Sequence, residues 1–379
     1  MPHYTAYVMD ISYFSGKFEA YLRCKGIPYE RIDVDHPRLF EVYRHTGTMK
    51  VPALRLDDGR WLKDSTVMIR WLEGRHPEPS VMPRDPVLRF LANLVEDYAD
   101  EWLWRPAMWW RWMPRDSRYV LGHRIAREVI AGGPPGPVWL KAAFFAWRQR
   151  REWLWDDGMT RDNQARIRDM YPQELASLQA ILERQPFLLG DRPSIADFGY
   201  FASMFRHFGN DPDPARLMRQ TAPAVHEWLA RLWNGAALQA PDPGGFTLPQ
   251  GPGWSGIWGR VCTLYLPYLH QNALAFRDRR KRFDFEAAGL RLPRTKTTDY
   301  RVWCRQDLQR QLAALDDASR AAVRDFLAPH GGIDALLADG EIDSGLDAEL
   351  QVPFEPRALQ PWWRQAWVWA NGNPRQARA

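Results

Sequence analysis

Residues 49–73, MKVPALRLDDGRWLKDSTVMIRWLE, limit the fold of this chain more than any other stretch. Two short extended runs, VPALRL and RWLKD, flank Asp57-Asp58-Gly59, which is a hairpin signal, and a helix opens after Asp64-Ser65. Pro52 sits at the start of the first run, where it removes one ladder donor. X-Pro is also the bond whose cis form costs little. A cis Val51-Pro52 bond would turn the Val51 N–H and C=O outward, where an extended peptide could pair with them as an added strand. Ser65 reads as the N-cap of the helix that follows. Orphan N–H groups and the helix dipole favour an anion there, so a ligand carboxylate could rest against it. The stretch predicts a peptide-binding groove.

The flanking sequence predicts an alternating unit. HYTAYVMDI and YERIDVD suit strands. SGKFEAYLRCKGI suits a helix with Phe18, Tyr21 and Leu22 on one face, stopped near Gly26, and PRLFEVYRHTG suits another. Residues 1–83 therefore read β-α-β-α-β-β-α, one layer of strands with helices on its faces. Residues 84–240 read as almost wholly helical, from the apolar-periodic DPVLRFLANLVEDYADEWLWRPAMWWRW through APAVHEWLARLWNGA, with AGGPPGP at 131–137 as a loop. Residues 241–379 open on a Pro/Gly-rich stretch and return to helical patterns, a mainly helical extension whose last fifty residues carry no assignable fold.

With 379 residues, more than one core is expected. Apolar residues at 45% and charged residues at 26% describe a globular chain. No run approaches the roughly 18 apolar residues of a membrane span, and the N-terminus lacks the form of a secretory signal. A soluble cytoplasmic protein is the simplest reading, with neither membrane nor nucleic acid as partner. Cys24, Cys262 and Cys304 are far apart, and no HExxH occurs, so neither a disulfide framework nor a metal site is expected. The net charge of +5 is modest, and RDRRKRF at 277–283 reads as a solvated helix end. Twenty tryptophans are the compositional oddity and imply large aromatic packing surfaces.

KVPAL at 50–54, Asp64-Ser65, SYFSGKFEAYLRCKGI at 12–27 and FLLGDRPSIADFGYFA at 187–202 together resemble the glutathione transferase superfamily over about the first 240 residues. The resemblance implies an α/β thioredoxin-like domain followed by an all-α domain, with boundaries here at 83/84 and 240/241. Ser194 and Asp197 form an S-x-x-D capping box, which assigns them to stability rather than catalysis.

The resemblance also implies glutathione as cosubstrate and no metal. A free thiol ionises near pH 8.5 or so, and the family lowers this with a hydroxyl or thiol aimed at the sulfur beside a helix N-terminus. Ser12, Tyr13 and Ser15 are the candidates, in that order of preference, although the proline often found after the active residue is here Tyr13. Lys50, Val51 and Pro52 would meet the glutathione backbone, and Asp64 and Ser65 its γ-glutamyl end. A hydrophobic electrophile would lie against the first long helix, with Tyr98, Trp102, Met108, Trp109 and Trp112 as candidate wall residues, although helical aromatic spacing is also what a core needs. The implied function is conjugation of the glutathione thiolate to that electrophile, a detoxifying transferase acting as a symmetric homodimer. The alternatives are a non-catalytic binding protein of the same fold, or a specialised glutathione-dependent lyase, dehalogenase or isomerase.

Overall fold

The computed structural model describes residues 3–130, 133, 135–235, 238 and 245–356. Strands β1 (Tyr4–Val8), β2 (Tyr29–Asp33), β3 (Ala53–Arg55) and β4 (Trp61–Lys63) form one sheet in the order β2-β1-β3-β4. β1 runs parallel to β2 and antiparallel to β3. Helices α1 (Tyr13–Cys24), α2 (His36–Thr46) and α3 (Ser65–Arg75) complete the predicted order. The two-residue period of β1 decides the layers: Ala6 and Val8 join the main core with Phe18, Leu22, Met68 and Leu72, whereas Tyr7 faces Val42, Ala53 and Trp61 on the opposite side. The sheet is covered on both faces, as a thioredoxin-like domain requires.

The second domain is helical, as expected: α4 (Pro86–Glu101), α5 (Trp104–Trp112), α6 (Arg115–Glu128), α7 (Val138–Trp153), α8 (Gln164–Leu182), α9 (Ile195–Ser203), α10 (Pro212–Thr221) and α11 (Pro223–Asn234). The long run at 85–112 divides at Trp102-Leu103. Pro106 lacks the N–H that an uninterrupted helix would use to bond the Trp102 carbonyl, and restarting at Trp104 puts it in a first turn, where no N–H is needed. A π-helical turn, Met204–Gly209, follows α9.

The extension supplies α12 (Trp254–Arg260), α13 (Leu266–Arg277), a hairpin of β5 (Arg282–Ala287) and β6 (Leu290–Lys296), then α14 (Asp299–Ala313) and α15 (Asp317–Leu327). The extension is mainly helical, as expected, and the hairpin is an element that the sequence reading did not include. Ala288 and Gly289 both have positive φ, 43° and 72°, which suits a two-residue turn, and Phe283, Phe285, Leu290 and Leu292 are buried. The basic run behaves as a solvated end of α13: residues 278–281 are exposed and Arg277 pairs with Asp278 and Asp339. α14 packs on α3 and α4 through Arg70–Asp307 at 2.8 Å, Asn93–Gln311 at 2.7 Å and Arg301–Glu101 at 3.4 Å. Phe354 bridges Trp61 by two main-chain bonds of 2.9 and 3.0 Å and so covers the outer edge of β4. Residues 357–379, within the stretch left unassigned from sequence, lie outside the described residues.

Candidate active site

The first turn of α1 is built on Ser12. Its backbone is extended, at φ −85° and ψ 128°, and its Oγ accepts the Ser15 N–H at 3.3 Å, the defining contact of an N-cap. The same hydroxyl donates to the Val51 carbonyl at 3.4 Å, and the Val51-Pro52 bond is cis. Among the described residues the Val51 N–H has no hydrogen-bond partner. Serine hydroxyl, helix terminus and main-chain edge therefore meet at one point, with Ser12 and Val51 both half-buried.

The other two hydroxyls are committed elsewhere. Tyr13 is 2% exposed, and its OH donates to the Ala99 carbonyl at 2.7 Å, on the α4 side of the core. Burial and the nearby Asp100 hold its ionisation well above the ordinary tyrosine value. Ser15 is fully buried, and its Oγ accepts the Met9 N–H at 3.2 Å, tying α1 to the end of β1.

At α3 the structure moves the N-cap from Ser65 to Asp64. The Asp64 carboxylate accepts the Val67 N–H at 3.2 Å, so Ser65 is the first helical residue. Asp64 has φ 72° and ψ 113°, a conformation that non-glycine residues rarely hold and that marks a site whose surroundings over-determine it. Ser65 is buried at 7% exposure, and Lys50 is exposed.

A buried tie holds the starts of α1 and α3 together. Lys17 Nζ donates to Thr66 Oγ1 at 3.0 Å and contacts the Glu96 and Asp100 carboxylates of α4. Burial opposes the Lys17 charge, but Asp100 and Glu96 outweigh it and raise its pKa. Lys17 is wholly buried with one cation against two carboxylates, so loss of the cation would leave both acids uncompensated.

Sequence reasoning missed the residues that close the α3 side. Tyr300, in the first turn of α14, points its hydroxyl at Asp64; burial and that carboxylate hold its ionisation well above normal. Glu101 is raised by burial, opposed by Arg301 and Lys50 and reinforced by Asp64. No local signal links α14 to Asp64, since the pairing exists only after the extension has packed on α4.

The five aromatic and sulfur candidates divide sharply. Tyr98, Trp102, Met108 and Trp112 are each at most 2% exposed and serve as core. Tyr98 donates to Glu174 at 2.7 Å, and Trp102 packs edge-on to Tyr265, Tyr268 and Phe285 of the extension. Trp109 is half-buried. Half-buried rings at the first turn of α1 are instead Phe14 and, packed on it from α5, Trp104, stacked within 8° of parallel at 6.3 Å.

Two family models match the chain in order: the glutathione S-transferase N-terminal domain over residues 7–80, then the glutathione S-transferase C-terminal domain over residues 161–231. The chain belongs to the glutathione S-transferase superfamily. Within that superfamily it is 33% identical over 98 residues to glutathione S-transferase U8 of Arabidopsis thaliana, covering 23% of this chain and 41% of the relative. It is 32% identical over 95 residues to maleylacetoacetate isomerase of Pseudomonas aeruginosa, covering 24% and 43%. The chain thus spans about two fifths of the length of these curated relatives. Similar solved structures include the β-etherase LigF from Sphingobium, at 22% identity and TM-score 0.42 over 60% of this chain and 94% of that one. A glutathione S-transferase from Methylobacterium radiotolerans, solved with glutathione sulfonate, matches at 21% identity and TM-score 0.38 over 66% and 99%.

Proposed function

We propose that the protein is a glutathione transferase-type enzyme that binds glutathione along the Val51-Pro52 main chain and delivers its thiolate to a hydrophobic electrophile. The observation that carries this reading is the meeting of the Ser12 hydroxyl, the α1 N-terminus and the unpaired Val51 N–H. In this reading the cysteinyl main chain of glutathione pairs with Val51, and the sulfur lies against Ser12. The Ser12 hydroxyl and the positive end of α1 then both favour S⁻ over SH. Asp64 and Ser65 take the γ-glutamyl end, with Tyr300 and Glu101 beside them and Lys50 near the rim. Phe14 and Trp104 offer the apolar wall for the second substrate.

The chemistry needs no more than an ionised thiol and an electrophile held beside it. The sulfur lone pair forms a bond to carbon, and the electrons displaced leave with the departing group or move onto an adjacent acceptor atom. A glutathione-dependent isomerase begins with the same attack, and the likeness to maleylacetoacetate isomerase favours that as the second reading. The homodimer, the cytoplasmic location, the detoxifying role and the division into residues 1–83, 84–240 and 241–379 belong to the same proposal and rest on resemblance.

Isothermal titration of the full chain with glutathione tests the reading. Binding is expected, and Ser65→Ala should raise Kd about ten-fold through loss of one charge-assisted hydrogen bond. Ser12→Ala should leave Kd near its original value. A chain that takes up no glutathione at millimolar concentration would refute the proposal.

A further inference from the structure

Helices α6 and α7 form an antiparallel hairpin whose contact is made by small residues. A methyl placed on Gly122 would meet the Ala142 carbonyl at 3.3 Å. On α7 the only buried residues are Ala142 and Ala146. The large side chains point the other way: Trp139 is 64% exposed, Leu140 53%, Phe144 47% and Trp147 54%. Spaced at positions 139, 140, 144 and 147, they make one stripe along the helix, and Phe144 and Trp147 touch with ring centroids 6.0 Å apart. An ordinary surface helix buries its apolar face. This one buries Ala142 and Ala146, keeps Val138 and Phe145 half-buried on the core, and shows its four other large apolar residues between 139 and 147 to solvent.

Charge singles out the same hairpin. Residues 115–153 hold eight lysines and arginines against three acids, a net of +5, which equals the net of the whole chain. The remainder is balanced. Two of the three acids, Glu128 and Glu152, are already paired with Arg124 and Arg148. Arg151 lies 5.7 Å over the Trp147 ring, at the border of the stripe. Arg150 has its Nε buried without a partner, and burial together with the like charge of Arg118 pulls its pKa down. Cations thus face one another at the hairpin without an acid to separate them.

We propose that the α6–α7 hairpin docks on an anionic phospholipid surface, the Trp139–Leu140–Phe144–Trp147 stripe entering the headgroup–acyl boundary and the arginines at its border meeting lipid phosphates. Apolar rings on one side and arginine at the rim are the composition of an interfacial helix, and no helix among the described residues is long and apolar enough to cross a membrane. A second copy of the chain is a poor occupant, because face-to-face pairing sets +5 against +5. The proposal departs from the expectation, drawn from the absence of a spanning segment, that no membrane is involved.

Co-sedimentation of the full chain with vesicles of equal phosphatidylglycerol and phosphatidylcholine tests it. The protein should pellet with these vesicles, at least about ten-fold more weakly with phosphatidylcholine alone, and less as salt is raised to about 0.5 M. Replacing Arg150 and Arg151 together by Gln should weaken binding about 30-fold. The triple substitution Trp139→Ser, Phe144→Ser and Trp147→Ser should abolish it with circular dichroism and melting unchanged. Should the triple variant fail to fold, the arginine pair alone decides. Failure to pellet with either vesicle, equal binding by the variants, tighter binding to an oligonucleotide, or a solution dimer that the triple variant dissociates would overturn the proposal.

Discussion

Ser12→Ala separates the two tasks assigned to one hydroxyl. In the structure its oxygen accepts the Ser15 N–H at 3.3 Å and its proton reaches the Val51 carbonyl at 3.4 Å. Both distances lie at or beyond the usual limits for such bonds, so the cap is weak and the proton is free to swing to a sulfur. The capping loss should therefore stay near the low end, about 0.5–1 kcal/mol in denaturant titration. Losing a donor to S⁻ should return the bound thiol towards about 8.5, a rise of about one to two pKa units or 1.4–2.7 kcal/mol. At about pH 6.5 the thiolate fraction then falls roughly ten- to fifty-fold, but the less acidic thiolate is intrinsically more nucleophilic, with a Brønsted slope of about 0.4–0.5. The net loss in rate at that pH is about three- to eight-fold, and above about pH 9 the variant should be no slower than the parent. Ultraviolet titration of the enzyme-bound thiolate and a pH–rate profile read these quantities directly, and Ser12→Thr should restore both. A variant that loses stability yet keeps its thiolate titration unchanged would show that Ser12 only caps α1.

Two further outcomes follow from buried carboxylates. Asp197 accepts Leu188 N–H, Trp228 Nε1–H, Ser194 N–H and Ser194 Oγ–H at 2.8–3.0 Å while fully buried, so Asp197→Ala strands four donors and should cost at least about 4 kcal/mol. A loss below about 1 kcal/mol by chemical unfolding would contradict its role as the joint of α9. Asp97 is pushed up to about 8, first by burial, against the Tyr265 hydroxyl that donates to it at 2.5 Å. Between the unfolded value of 3.8 and about 8 the folded chain keeps a proton that the unfolded chain has released, so its contribution to stability is complete at low pH and falls as pH rises through that window. Asp97→Asn should flatten this slope in melts taken across the window, and a parallel slope in the variant would assign the effect to other groups.

The parts of the site that could be read from sequence are those written in short-range signals. Pro52 at a strand start, the Asp-Gly turn at 58–59, the polar pair Asp64-Ser65 and the Ser194–Asp197 capping box each act within a few residues, and the fold honours all four. The N-cap moved by one residue, from Ser65 to Asp64, because Asp and Ser cap about equally well and sequence does not separate neighbours; nor does it carry a sign of the positive φ at Asp64. The hairpin β5–β6 went unread because its basic lead-in, RDRRKRF, continues the helical pattern of α13 up to the strand itself.

Sequence alone determined the alternating first unit, the helical second and the three competing hydroxyls at the start of α1, since periodicity and caps are properties of neighbours along the chain. Tertiary structure decided which hydroxyl faces outward, sending Tyr13 to Ala99 and Ser15 to Met9 and leaving Ser12 beside Val51. It also decided that Tyr98, Trp102, Met108 and Trp112 fill the core while Trp139, Leu140, Phe144 and Trp147 meet solvent. A helical aromatic repeat is the same pattern whichever way it faces. Only the elements packed against it set the direction: the extension closes over Trp102, whereas the neighbours of α7 bury only Ala142 and Ala146.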